Sequence, residues 1–224
     1  VFGFPIQWIP KNPRWQNYVD IWTQIPLLTF VKNTVKITVV VTLLQLFTSS
    51  FAAYAFAKMQ FKGKNALFLG YIATIAVPWQ AYMVPQFMMM SSWHLNNTHL
   101  AIMCLQAFSA FGVFLMKQFY EGVPTELCEA ARIDGLSEYG IWWHIMLPLS
   151  LPALSTLTIF TFVNTWNDFL GPLIYLTKTE LKTIQIGLRM FITQYSAEYG
   201  LIMAASVVAL IPVLIVFLSP VCLL

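Results

Sequence analysis

The sequence predicts an all-α polytopic membrane protein with about five transmembrane helices, and three observations carry that prediction. The 224-residue chain is 58% hydrophobic, with a mean hydropathy of +0.70 and only 9% charged residues. A soluble domain spends about a quarter of its residues on charge. The apolar residues also gather into five runs long enough to cross the hydrocarbon core, which takes about 20 residues as helix. Finally, those runs are continuous rather than alternating, so their backbone groups are satisfied inside helices and not in a closed barrel.

The predicted spans are 37–57, between Lys36 and Lys58; 66–90, interrupted by Pro78 and Pro85; 99–116, closed by Lys117; 149–176, with Pro152 in its first turn and Pro172 in its last; and 201–224, with Pro212 inside. Residues 1–28 contain no comparable run and read as an extracytoplasmic N-terminal segment, leaving 29–224 as the transmembrane domain. Lys58, Lys62 and Lys64 crowd the first short loop while the next, Ser91 to Thr98, has no Lys or Arg. The positive-inside rule therefore puts Lys58–Lys64 in the cytoplasm, and by alternation Lys117 to Met146 as well. Thr177 to Gly200 then lies outside. Lys32, Lys36, Lys178, Lys182 and Arg189 vote the other way.

Several classes fall away. A net charge of +3, with basic residues scattered singly or in threes, gives no nucleic-acid face. Cys104, Cys128 and Cys222 are far apart and odd in number, and His94, His99 and His144 are isolated, so neither a disulfide, a metal site nor another cofactor is expected. Gly63-Lys64 lacks the glycine and hydroxyl residues of a phosphate-binding loop. No nucleophile–base pair or carboxylate pair points to an enzyme.

One stretch breaks the apolar pattern: EAARIDGLSEYGIWWHIMLP, Glu129 to Pro148. Upstream, Val123-Pro124-Thr125-Glu126 reads as a helix start, with Pro124 at the first helical position and Glu126 and Glu129 near the positive end. Gly135 suits a left-handed stop, and Ser137 caps a second short helix that should end before Pro148. Ala130 and Ala131 would let another protein surface approach the backbone, with Glu129 and Arg132 supplying ionic register. Leu136, Tyr139, Trp142 and Trp143 give the second helix apolar mass to lie against its own spans. The alternative is a solvated amphipathic loop with no partner.

Within the spans, Asp168 is the single carboxylate, beside Trp166 and Asn167. Such a charge is either a functional group facing a cavity, together with Asn164 and Asn167 along a translocation path, or an interfacial residue near the end of its span. Gln45, Gln80, Gln86 and Gln106 either line a polar route or join helices, and joining is the simpler expectation.

The pattern Glu129-Ala130-Ala131, Gly135, Ile145, Leu147-Pro148 resembles the EAA loop of permease subunits from binding-protein-dependent ABC importers. Asn33 to Lys58, Ala76 to Phe87 and Phe160 to Leu176 extend the resemblance to the carbohydrate-uptake branch, specifically the maltose-permease G-type subunits. It implies that the loop, 121–148, is cytoplasmic and docks in a cleft on an ATP-binding subunit dimer. Glu129, Ala130, Ala131, Arg132, Asp134, Gly135, Ile145, Leu147 and Pro148 would form the coupling surface. It further implies a second permease subunit, a bacterial cytoplasmic-membrane location, and an extracytoplasmic sugar-binding protein contacted by the outer loop around Gln194, Tyr195 and Ser196. The family has six helices and a polar C-terminal tail, so the chain reads as truncated at both ends. Set against a sugar permease driven by a separate ATPase are two alternatives: a self-contained secondary transporter, and a truncated permease that does not transport.

Overall fold

The structure is a computed structural model that describes residues 14–192 and 198–219. Its axis is α2, Leu27–Lys58, an unbroken helix of 32 residues. No proline or glycine lies between Pro26, which caps its start, and Lys58, so nothing interrupts the hydrogen-bond ladder. At 1.5 Å per residue it is about 48 Å long, well beyond the roughly 30 Å hydrocarbon core. It starts ten residues before the predicted span because Lys32, Asn33 and Lys36 lie within the helix. α1 (Asn17–Gln24) precedes it and packs on α13 (Tyr199–Leu218), a 20-residue helix of mean hydropathy 3.0 that carries Pro212 inside it.

The predicted run 66–90 is two helices, α3 (Lys64–Ala73) and α4 (Trp79–Ser92), bent by 101° through a 3-10 turn. Pro78 holds the extended geometry that makes the corner, with Val77 before it also extended. Pro85 is absorbed inside α4.

The window 99–116 also breaks, into α5 (His99–Leu105) and α6 (Ala110–Glu121), bent by 43°. No proline marks this break. Ser109 caps α6 by accepting from the Gly112 amide at 3.0 Å, and α2 takes up the carbonyls that the break frees. Gln45 Nε2 donates to the Gln106 carbonyl at 2.7 Å, and Thr48 Oγ1 to the Ala107 carbonyl at 2.8 Å. Such substitution is what allows irregular backbone at membrane depth. α2 and α6 cross closely at Gly112, where an added Cβ would sit 2.4 Å from Ser49 Oγ.

The helix–turn–helix forms as α7 (Thr125–Ile133) and α8 (Glu138–Ile141) around Gly135, whose φ of +84° is the left-handed geometry expected of a stop residue. Pro124 is the residue before the helix rather than its first. Contrary to expectation, the second helix does not end before Pro148. It runs on through a π-turn at Trp142–Met146 into α9 (Leu147–Leu149). The widened turn, in which Leu147 N–H bonds the Trp142 carbonyl, shifts the ladder by one residue and accommodates a proline without a donor.

The chain then bends by 80° into α10 (Leu151–Trp166). The expected run to 176 is not one helix. It stops at Trp166 and resumes as α11 (Leu170–Tyr175), with Asp168, one residue before the N-cap Phe169, accepting from the Gly171 amide at 3.1 Å. α12 (Ile184–Met190) follows a 3-10 turn at Thr179–Leu181.

Three apolar clusters hold the assembly. One lies under the helix–turn–helix and joins Ala53 and Tyr54 of α2 to Val113, Met116 and Tyr120 of α6 and to Cys128, Ala131, Ile141, Trp142 and Met146. A second joins Ile21, Leu27, Trp166, Ile184 and Ala205. The third sits between Ile37 and Val41 of α2, Met90, α5 and Tyr175.

Candidate functional site

Two regions gather the polar chemistry, and α2 passes through both. The first is a cavity of about 710 Å³ bordered by α2, α4, the α5–α6 break, α10 and α11. Its polar lining includes Gln45, Gln86, Gln106, Asn164, Asn167 and Asp168, with Trp79, Tyr82, Phe108 and Phe160 among its aromatic walls. Asp168 therefore faces this cavity. Trp166, its expected interfacial neighbour, is 1% exposed and donates from Nε1 to the Ala209 carbonyl at 3.0 Å, fastening α10 to α13.

The cavity floor is one connected network. Thr161 Oγ1 donates to Gln45 Oε1 at 2.9 Å, Gln45 Nε2 donates to the Gln106 carbonyl, and Gln106 Nε2 donates to Asp168 Oδ2 at 2.7 Å. Both carboxylate oxygens of Asp168 are thus occupied, one by Gln106 and one by the Gly171 amide. An added Cβ at Gly171 would lie 2.5 Å from Asp168 Oδ2, so the glycine makes room for the carboxylate. Gln45 and Gln106 both join elements and line the cavity. Within α4, Trp79 Nε1 donates to Gln86 Oε1 at 2.8 Å. Gln80 is exposed and lies outside the cavity wall. Asn164 is exposed to the cavity, and Asn167 accepts from Gln185 Nε2 at 3.1 Å.

The second region is the helix–turn–helix, which has a buried and an exposed face. Cys128 and Ala131 point into the chain's own core, so Ala131 is a small residue for internal packing and not for approach from outside. Arg132, expected to supply register to a partner, stays exposed but is paired within the motif: its Nε lies 2.7 Å from Glu138 Oε1 and its Nη2 3.3 Å from Oε2. Glu138 also accepts from the Tyr54 hydroxyl at 2.5 Å. The Arg132 guanidinium, with help from that hydroxyl, holds the Glu138 carboxyl below the usual carboxylate range, against a smaller opposing contribution from burial. Burial pushes the Cys128 thiol up, which suits an inert core residue. Trp142 is buried edge-on against Phe47 and Phe51, and Tyr139 stacks on Phe51. Leu136 and Trp143 stay exposed instead of lying against the spans.

The outward face carries Glu129, Ala130, Asp134 and Gly135, all exposed. Neither Glu129 nor Asp134 has an ion pair or side-chain hydrogen bond among the described residues. Between them Ile133 is 86% exposed, with Leu127 and Tyr139 also open. Ile145 and Leu147 are half-buried beneath this face and Pro148 is exposed. Sequence reasoning missed Ile133, whose signal is an apolar residue in the last turn of an amphipathic helix immediately before the charged stop. It also missed Tyr54 and Lys58, which share one face of α2 at i, i+4 spacing. Gln194, Tyr195 and Ser196 lie outside the described residues.

Among the described residues two helices are long and apolar enough to cross a membrane, or up to five spans form if each bent pair is one, and comparison with known proteins gives the class. Residues 17–223 match the family described as the binding-protein-dependent transport system inner membrane component, and the chain belongs to that family. Within it, the chain falls among the carbohydrate-uptake ABC permeases. It is 36% identical over 217 residues to the arabinooligosaccharides transport system permease protein AraQ of Halalkalibacterium halodurans, covering 96% of this chain and 78% of that one. It is also 36% identical over 203 residues to the lactose transport system permease protein LacG of Rhizobium radiobacter, covering 91% and 74%. The fold matches a chain in the crystal structure of a bacterial ABC transporter involved in the import of the acidic polysaccharide alginate. There the TM-score is 0.84 at 25% identity, over 93% of this chain and 79% of that one.

Proposed function

We propose that the chain, as one of two permease subunits in a bacterial cytoplasmic membrane, forms half of a sugar path, and that a separate dimeric ATP-binding subunit powers it by docking on the loop 121–148. The observation that carries this reading is the two-faced helix–turn–helix. Its inner face is committed to the chain's own core, while its outer face leaves Glu129 and Asp134 unpaired around an apolar residue exposed to 86%. An exposed apolar anchor ringed by free charges is the composition of a docking face.

The cavity supplies the transport element. Amide groups and aromatic walls at 710 Å³ suit a saccharide, which offers hydroxyls for hydrogen bonds and apolar ring faces for stacking. Asn164, with its amide exposed to the cavity, is the path residue with the freest side chain, while Asn167 and Asp168 shape the wall. A self-contained secondary transporter would need a carboxylate free to exchange a coupling ion, whereas Asp168 has both oxygens engaged. The outer loop around Gln194, Tyr195 and Ser196 is proposed to meet an extracytoplasmic sugar-binding protein.

The test is co-purification of the ATP-binding subunit with Glu129→Lys and Ile133→Asp at equal membrane abundance. Each should lower recovery at least tenfold, since a charge buried without a partner at an interface costs several kcal/mol. Recovery equal to the unsubstituted chain for both variants would remove the docking reading.

A further inference from the structure

Two anchors tie the helix–turn–helix to the end of α2, and both come from one face of the helix's last turns. Tyr54, 2% exposed, donates its hydroxyl to Glu138, the first residue of α8. Lys58, one turn later and 8% exposed, donates from Nζ to the Val123 carbonyl at 2.5 Å, just ahead of α7. Glu138 passes the connection on to Arg132 in the last turn of α7. Lys58 thus grips the start of the motif and Tyr54 grips its turn. A buried lysine aimed at a carbonyl is a charge-assisted bond that a merely solvated lysine at a helix end would not make. The same helix carries Gln45 into the cavity network, about 20 Å along its axis from Lys58.

We propose that Tyr54 and Lys58 are positioning residues that make α2 and the helix–turn–helix one rigid lever, so that displacement of the docking face is delivered to the cavity through Gln45. This rests on the docking reading above, but Tyr54 and Lys58 are buried and, among the described residues, make no hydrogen bond or ion pair with Glu129 or Asp134. Removing the anchors should leave docking intact and break transmission. An apolar contact alone would let the motif slide over Ala53, Val113 and Met116, whereas two directional bonds at separated points fix its angle.

The experiment uses the assembled transporter with its companion permease and ATP-binding subunits, in a background without native cysteines. A reporter, Phe108→Cys, sits at the cavity wall on a residue 69% exposed. Its labelling rate by an impermeant maleimide is compared with and without ATP plus vanadate, and trapped nucleotide is counted separately. With the anchors present, trapping should change the labelling rate at least fivefold. In Tyr54→Phe with Lys58→Met, trapping should persist while the labelling change falls below twofold. Lys58→Arg, which keeps a charged donor, should retain most of it. The single variants are read in the same way, so poor assembly of the double variant does not decide the outcome. A full labelling change in assembled Tyr54→Phe and Lys58→Met complexes would overturn the lever. Loss of the ATP-binding subunit from these variants, with normal recovery for Glu129→Lys and Ile133→Asp, would overturn the docking face as assigned and the lever with it.

Discussion

The cavity network and the helix–turn–helix are both polar intrusions into an apolar chain, yet they are built in opposite ways. The cavity network closes on itself: the carboxylate of Asp168, the amide of Gln106 and the backbone of the α5–α6 break satisfy one another. The carboxylates of the helix–turn–helix are paired on one side only. Glu138 is shared by Arg132 and Tyr54, while Glu129 and Asp134 are left to solvent. Unpaired polarity is costly in the middle of a membrane and cheap at its edge, so the closed network holds helices together while the open face can wait for another molecule.

The largest expected effect therefore lies in the closed region. Asp168→Leu removes the acceptor of both Gln106 Nε2 and the Gly171 amide, and each stranded donor costs about 1–3 kcal/mol. Thermal unfolding of the purified chain in detergent should show a marked loss. Asp168→Asn, which still presents one carbonyl oxygen, should lose less. Equal stability for the two variants would mean that the network does not hold the break.

The α2–α6 crossing lies between the two regions and should rank next. Gly112→Val would drive a side chain into Ser49 Oγ and towards Leu157, the latter 3.2 Å from the added Cβ. Overpacking of this kind costs about 1–3 kcal/mol. Pairing it with Ser49→Gly should recover part of the loss in the same unfolding assay, which isolates the contact. No recovery would place the strain elsewhere.

Legibility follows the same division. The helix–turn–helix could be read because its signals are local: the Glu-Ala-Ala, Gly135 and Leu147-Pro148 positions fall within 20 residues and each acts on its own backbone. What failed there needed the third dimension. Nothing in the chain order says that Ala131 faces inward, that Arg132 finds Glu138, or that a π-turn carries the helix past Pro148. The cavity network was not legible as a network, since Gln45, Gln106, Thr161 and Asp168 meet only through helix packing. The break inside the predicted span 99–116 was not legible for the same reason, because side chains of α2 repair it at Gln106–Ser109 without a local proline. A carboxylate three residues before a glycine, Asp168 and Gly171, was the available signal for the break in α10–α11.

In the open region backbone effects should outrank electrostatic ones. Gly135 has a φ of +84° with nothing within 4 Å of an added Cβ, so substitution there is a purely conformational experiment. Gly135→Val should cost about 1–2 kcal/mol, while Gly135→Asn, which tolerates left-handed geometry, should cost much less. Limited proteolysis at the turn reads this directly. Similar cleavage rates for the two variants would show that the turn is not under conformational constraint.

The smallest effect is a pH dependence, and its sign follows from Glu138. The bond to Arg132 lowers its folded-state pKa, so the stabilisation is complete above the unfolded value of about 4.3 and is lost as pH falls through the lower, folded value. Both partners are about one-third exposed, which limits the pair to at most about 1 kcal/mol after screening. The unfolding temperature of the unsubstituted chain should therefore exceed that of Glu138→Gln at pH 7, and the gap should narrow as the pH falls below the unfolded carboxyl value. The amide carbonyl that Glu138→Gln introduces still accepts from the Tyr54 hydroxyl, so the variant isolates the charge from the tether to α2. A gap that widens on acidification would reverse the assigned sign, and a gap that ignores pH would mean that the pairing of Arg132 with Glu138 contributes shape and not charge.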